Sequence, residues 1–381
     1  FGMDMEFHPA FATTTASYCP VNIKTSKIVR EVARQGSSNS NLVGRLLSVN
    51  ARLRTLTNTH SKRLVGGMFV SLFSGVSALF QIFLHTLFPG YWGKLKARLP
   101  HVSSITELQI FQDEVTLDDK HVNQGYSSYD LGELAQRVFT TLRSIGVVDN
   151  FAPILCFVAH GSSSVNNPYS SAYDCGACGG RPGAFNARVF ATVANNKNVR
   201  SRLAEMGIVV PDSTFFVGAF HNTCTDEVII FDREKIPKSH ESEVNSLLDM
   251  FSSASASNAY ERFKKLKSFS RIETEKDALR EAVFRANHIA EPRPEYGHAT
   301  NAACVVGRRD ITKNLFLDRR SFLVSYDKDV DLDGSILLET LSAIIPVCSG
   351  ISLEYLFSSL DNKSFGSGSK LPHNPVSLLG V

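Results

Sequence analysis

ILCFVAHGSSSVNNPYSSAYDCGACGGRPGAFNAR, residues 154–188, is the stretch on which the reading of the fold turns. Residues 154–159 form a short continuous apolar run, the pattern of a strand buried on both faces of an α/β sheet. Residues 160–183 are rich in Ser, Asn and Gly and predict a loop. A helix is expected over about 184–206, and two further strands over 214–220 and 228–231. The order strand, loop, helix, strand predicts a parallel α/β unit. His160 then stands at the carboxyl end of the first strand, where open α/β sheets gather their ligands.

Within the loop, Cys175 and Cys178 form a CxxC just before the predicted helix. A thiol near a helix N-terminus has a lowered pKa, which suits metal binding or nucleophilic chemistry. The neighbouring glycines let the backbone turn tightly enough to carry Cys175 back towards His160. One imidazole with one or two thiolates suits zinc. From the residues alone, a redox pair and two packed structural thiols stay open. Asp174 precedes the first cysteine, where a thioredoxin-like motif has an aromatic residue. His221 and Asp226 follow the next predicted strand and fall on the same sheet edge as His160, as candidate supporting residues or proton relays. Cys156, inside the apolar run, is expected in the core.

Outward from this unit, the first hundred residues carry twelve Lys/Arg against three Asp/Glu, although the whole chain has a net charge of only +3. So small a net charge does not argue for nucleic acid; the basic skew suits an anionic partner such as lipid headgroups. Helical patterns are expected near 22–34 and 41–57. Residues 64–93 hold no formally charged residue, are flanked by Lys62, Arg63, Lys94, Lys96 and Arg98, and end on Tyr91-Trp92. That pattern suits a buried helix or one docked on a membrane or a membrane partner, with a membrane span as the lesser alternative. Residues 128–145 predict an amphipathic helix, with Ser127 as N-cap and Gly146 closing it. The Ser/Ala stretch 252–258 predicts a linker or exposed loop, followed by charged helices over about 259–289 and apolar helices near 335–348 and 351–361. The organisation expected is a mainly helical, basic region over 1–150, an α/β core over 151–250, a helical linker region over 251–290 and a C-terminal α/β part over 291–381. Seven cysteines, an odd number in a large chain, suit a reducing compartment.

The run around the CxxC continues in TFFVGAFHNTCTD (214–226), RPEYGHATNAACVVGRR (293–309), FLVSYD (322–327) and DNKSFGSGSKLPHNPVSLLGV (361–381). This ordered, collinear set resembles the DabA family of inorganic-carbon transporter subunits. The resemblance implies a β-carbonic-anhydrase-like parallel-sheet core with additional helical segments. It also implies a zinc site in which His160 and Cys175 are ligands and the other two come from an upstream CxDxRSE motif. That motif is absent from these 381 residues, so the resemblance implies an internal segment of a larger protein. The activity implied is carbonic-anhydrase-like conversion of CO2 to bicarbonate, coupled to a proton-channel-like membrane partner (DabB-like). The implied place is the cytoplasmic side of a cell inner membrane, as a peripheral protein. Two other readings remain: a thiol–disulfide oxidoreductase using Cys175 and Cys178, and a non-catalytic binding homologue.

Overall fold

The computed structural model describes residues 4–7, 15–17, 27–33, 63–91, 106–115, 122–123, 125–165, 182–265, 272–291 and 302–365. The strands form three small sheets. The first contains β1 (Asp4–Phe7), β2 (Thr15–Ser17), β3 (Ile28–Ala33) and β4 (Thr106–Gln109), in the order β2-β1-β3-β4. In it β1 and β3 run parallel, and β2 and β4 are antiparallel additions. The second contains β5 (Ile154–Gly161), β6 (Phe215–Asn222) and β7 (Val228–Ile230). The third pairs β8 (Ala303–Val306) with β9 (Ser321–Val324), in parallel.

The central unit has the expected order. β5 and β6 are parallel, with Ile154 beside Phe215 and His160 beside His221. Between them run α3 (Ala184–Ala194) and α4 (Lys197–Glu205). The single helix expected over 184–206 is broken at Asn195-Asn196. The Asn195 side chain bonds the β6 backbone in both directions, donating to Phe216 O at 2.7 Å and accepting from Phe216 N at 2.9 Å. Asn196 caps α4 by accepting from Asn198 N and Val199 N. Two asparagines that satisfy backbone groups locally compete with continuous helix. The sheet is mixed, since β7 closes it antiparallel to β6.

Helix α3 lies close against β6 at Gly218. A Cβ there would stand 2.7 Å from the Ala187 carbonyl oxygen and 3.0 Å from Arg188 Cα, so only glycine allows this approach. One apolar core joins this unit to the first sheet: Val29, Leu108, Ile110, Val138, Val189, Phe190, Val193 and Phe216 are buried together. Helix α2 (Leu131–Ser144) supplies Leu134, Ala135, Val138 and Leu142 from one face. Its N-cap is Asp130, which accepts from Glu133 N at 2.8 Å, rather than the expected Ser127. Its end is the expected one. Gly146 has φ +75°, with Gly146 N donating to Arg143 O and Val147 N to Leu142 O.

Other sequence expectations give way to tertiary structure. Residues 28–33, expected within a helix, are strand β3: β-branched Ile28, Val29 and Val32 suit a strand paired on both sides. The first 150 residues, expected as mainly helical, therefore contain four strands among those described. The pattern near 41–57 lies outside the described residues. The Ser/Ala stretch expected as a loop is the middle of α5 (Glu241–Phe263). Its small polar side chains are used there: Ser255 Oγ donates to Asp226 O at 2.6 Å, and Ser257 Oγ to Glu275 at 2.8 Å. Helix α6 (Glu275–Asn287) packs on α5 around Phe263, Ala278 and Ala282, and opens with a Thr274–Asp277 capping box. The two apolar helices expected near the end are one, α7 (Ser335–Leu360), followed by α8 (Asn362–Phe365). Within the charge-free stretch 64–93, Leu64–Leu87 form α1, the longest described helix before α7.

A buried arginine holds the two larger sheets together. Arg188, on α3, donates through Nε and NH2 to both carboxylate oxygens of Asp232, at 2.7 and 2.8 Å. NH1 reaches Glu31 of β3 at 2.7 Å and Thr106 Oγ1 of β4 at 3.1 Å, and NH2 reaches Thr106 O at 2.8 Å. Burial works against the Arg188 charge, but hydrogen bonds and attraction from Asp232 and Glu31 outweigh it and raise its pKa. For Glu31 burial wins: its carboxyl is pushed up despite the pull of Arg188 and Thr106. Arg188→Met strands two carboxylates and should cost about 3–5 kcal/mol. Glu31→Gln should cost clearly less, because an amide oxygen still accepts from Arg188 and Thr106 and Asp232 still balances the charge. Denaturant midpoints of the two variants check that order.

Candidate metal centre

The carboxyl edge of the parallel pair β5–β6 carries the candidate residues His160 and His221. Because the strands are in register, His160 and His221 are neighbours across the sheet, and parallel strands lie about 4.8 Å apart. His160 is exposed at this edge. The loop that follows starts and ends on fixed points. Val165 N donates to Ala286 O, at the end of α6, at 2.9 Å, and Gly183 N donates to the carbonyl of His160 itself at 2.8 Å. The segment carrying the CxxC therefore leaves the end of β5 and returns to His160 as α3 begins. Cys175 and Cys178 lie outside the described residues, as do Asn166, Asn167 and Asp174.

His221 and Asp226 stand together at this edge. His221 Nε2 is 3.1 Å from Asp226 Oδ1. Asp226 is 1 % exposed, with its backbone in the left-handed region at φ +59°, while His221 keeps 31 % of its side chain accessible. Two further groups hold the carboxylate, Asn258 Nδ2 donating to Oδ1 at 2.8 Å and Arg262 NH2 to Oδ2 at 2.6 Å, while Ser255 donates to the backbone oxygen of Asp226. Arg262, itself 1 % exposed, also donates to the carbonyl of Thr223 at 2.8 Å. The aspartate is thus fixed from α5, and it fixes one ring nitrogen of His221. With Nε2–H donating to Asp226, Nδ1 is left as the nitrogen that can accept.

Sequence reasoning missed Arg262 and Asn258. They lie in a stretch expected as linker and charged helix, where nothing local reveals a buried role. A Cys-x-Asp triplet does occur here, at Cys224-Thr225-Asp226, without the arginine that follows in CxDxRSE. Cys224 is fully buried with Sγ 3.1 Å from Ser162 Oγ, and Asp226 is occupied by His221, Asn258 and Arg262, so the triplet serves the end of β6. Asn222 ties the two strand ends, donating to Ser163 Oγ at 2.6 Å. Cys156 is half-buried in β5, and burial pushes its thiol up to about 11, which leaves it unreactive at neutral pH. Arg308 pairs with Asp327 and Asp329, and Arg309 donates to Leu323 O, so local protein groups engage both. Among the described residues, no group of three or more His, Cys, Asp or Glu is arranged around a common point to hold a metal.

The family model described as "Probable inorganic carbon transporter subunit DabA" matches residues 1–381. The probable inorganic carbon transporter subunit DabA 2 of Sorangium cellulosum is 40 % identical over 392 residues, which cover 100 % of this chain and 37 % of that protein. DabA 1 of the same organism is 51 % identical over 247 residues, covering 65 % of this chain and 24 % of its own length. The Azotobacter vinelandii protein of the same description is 38 % identical over 382 residues, covering 100 % of this chain and 43 % of its own. The chain thus spans less than half the length of these relatives. No solved structure matches.

The Asp226 cluster separates two kinds of loss. Asp226→Ala leaves a buried guanidinium uncompensated and should cost about 3–5 kcal/mol of stability. His221→Gln, at a partly exposed side chain, should cost less than about 1 kcal/mol. Thermal unfolding of the two variants checks the difference.

Proposed function

This chain belongs to the DabA family of probable inorganic carbon transporter subunits, and from that membership we propose that it carries part of a zinc centre converting CO2 to bicarbonate. The observation that carries the reading is the sheet edge: His160 ends β5 beside His221, and the CxxC loop closes back onto the His160 carbonyl. The donor types fit zinc. An imidazole at a strand end and a thiolate in the adjoining loop are ordinary zinc ligands, and His160 is exposed where an ion could reach it. His160 and Cys175 would hold the ion together with ligands beyond this pair. Zinc, when bound, supplies hydroxide at neutral pH by lowering the pKa of water from about 16 towards 7.

The chain's own residues do the rest. Asp226, locked by Arg262 and Asn258, orients the His221 ring, so Nδ1 is the atom able to take a released proton and pass it to solvent. A β-carbonic-anhydrase-like core agrees with the parallel β5–α3–β6 unit, and the antiparallel β7 is an addition to it.

Peripheral attachment to the cytoplasmic face of a membrane, through a proton-channel-like partner, belongs to the same reading. Helix α1 is long and apolar enough to cross a membrane by length and composition, and its apolar stretch is not buried against the rest of the protein. Leu64, Met68, Leu72, Val76 and Leu79 are all exposed along it. Basic residues bracket it in sequence, which suits docking against a membrane or a membrane-embedded protein.

Two measurements test these parts. Protein expressed from the complete reading frame should contain about one zinc per chain by mass spectrometry. The metal should be lost with His160→Ala or Cys175→Ala and kept with Cys178→Ala. Zinc-free protein, with thiol–disulfide exchange activity that needs both Cys175 and Cys178, would favour the oxidoreductase instead. Deleting residues 60–95 should release a folded protein from membranes; a deleted form that still sediments with them rules out α1 as the docking element.

A further inference from the structure

Strand β8 and helix α7 face each other across an apolar cavity of about 360 Å³, walled by Cys304, Val306, Phe322, Leu341, Ile345 and Cys348. Both cysteines are free, Cys304 exposed and Cys348 half-buried. They lie on different elements, 44 positions apart in sequence, yet they line the same space. Burial, and after it the neighbouring Cys304 thiol, push the Cys348 thiol up.

Among the described residues, side-chain hydrogen bonds hold the start of helix α7. Asp331 accepts from Ile336 N at 3.0 Å and from Leu337 N at 2.8 Å, and Tyr326 donates its hydroxyl to the same carboxylate at 3.0 Å. Past that turn, Leu338, Ile345, Leu353 and Leu360 are exposed and the cavity separates the helix from β8 and β9. A helix over a partly empty apolar space lacks the close packing that fixes an element in one position. The thiol pair sits where a single bond could supply that fixation.

We propose that Cys304 and Cys348 form a reversible disulfide that fastens α7 onto β8, with a low-molecular-weight disulfide of the glutathione type as the oxidant. Cys304, the more exposed, attacks as the thiolate. Its sulfur bonds to one sulfur of the small disulfide, whose S–S bond breaks and releases one small thiolate. Cys348 loses its proton to solvent and attacks the Cys304 sulfur, expelling the second small thiolate. The two protein thiols have then given up two electrons and two protons, and the small disulfide has become two thiols. A partly exposed bond of this kind has a high reduction potential and is easily reversed. This pair uses neither Cys175 nor Cys178 and does not depend on the zinc reading.

The test is equilibration of the purified protein with reduced and oxidised glutathione at rising ratios, followed by alkylation of free thiols and peptide mass spectrometry. The expected result is a peptide pair cross-linked between Cys304 and Cys348, lighter by about two mass units than the two reduced peptides. Dithiothreitol should reverse it. It should vanish in Cys304→Ser and in Cys348→Ser and persist in Cys156→Ser. Hydrogen exchange over residues 338–353 should slow on oxidation in the wild type and stay unchanged in both serine variants. Glutathione that remains attached to Cys304 without a cross-link overturns the proposal, as does a cross-link that leaves exchange in α7 unchanged.

Discussion

Everything at the centre of this molecule depends on one buried guanidinium. Arg188 has five N–H donors, and each has an acceptor: two on Asp232, one on Glu31, and the hydroxyl and carbonyl of Thr106. These partners come from β3, from β4 and from the turn after β7, so one side chain sets the position of the first sheet against the second. The planar fork makes this possible, because it presents its donors in fixed directions; a lysine would offer a point charge and three rotatable donors. Full satisfaction also makes the buried charge tolerable, since a guanidinium taken out of water needs every donor met. The close approach of α3 to β6 at Gly218 is part of the same constraint, because it seats the helix that carries Arg188.

A second buried arginine stands behind the sheet edge that carries His221. Arg262 reaches from α5 to the carbonyl of Thr223 and the carboxylate of Asp226, and so ties the α5–α6 pair to the end of β6. Asp226 is in turn the partner of His221. The orientation of a ring at the sheet edge is therefore fixed by a helix distant in sequence. Such support from behind determines which ring nitrogen is free to act.

How much of this the sequence reveals follows from how local each signal is. The β5–loop–α3–β6 order is legible because a continuous apolar run, a Gly/Ser/Asn-rich loop and a periodic helix are patterns within one short stretch. The end of α2 is legible too, because a glycine at positive φ after an amphipathic helix is a local device. The roles of Arg188 and Arg262 are not legible. An arginine in a helical pattern reads as a solvated residue, and its partners lie 44 to 157 positions away for Arg188 and 36 to 39 for Arg262. Strand β3 was hidden for a related reason: its partners β1 and β4 lie in separate stretches, and alone its sequence has the apolar spacing of a helix. The Ser/Ala run of α5 resembled a linker in composition, yet Ser255 and Asn258 face Asp226.

The end of α6 links the two surfaces on which the functional reading rests. The last carbonyls of a helix have no partner within it and must find donors elsewhere. Here Ala286 O receives Val165 N, the first fixed point of the CxxC loop, at 2.9 Å, and Asn287 O lies 3.4 Å from Nδ1 of His85, near the end of the apolar helix α1. Two consecutive carbonyls thus meet the candidate metal loop and the candidate docking helix. His85 is buried although most of α1 is exposed, so this end of the helix is where it is seated on the rest of the molecule. Two backbone carbonyls at the end of one helix thus connect α1 with the first anchor of the loop that returns to His160.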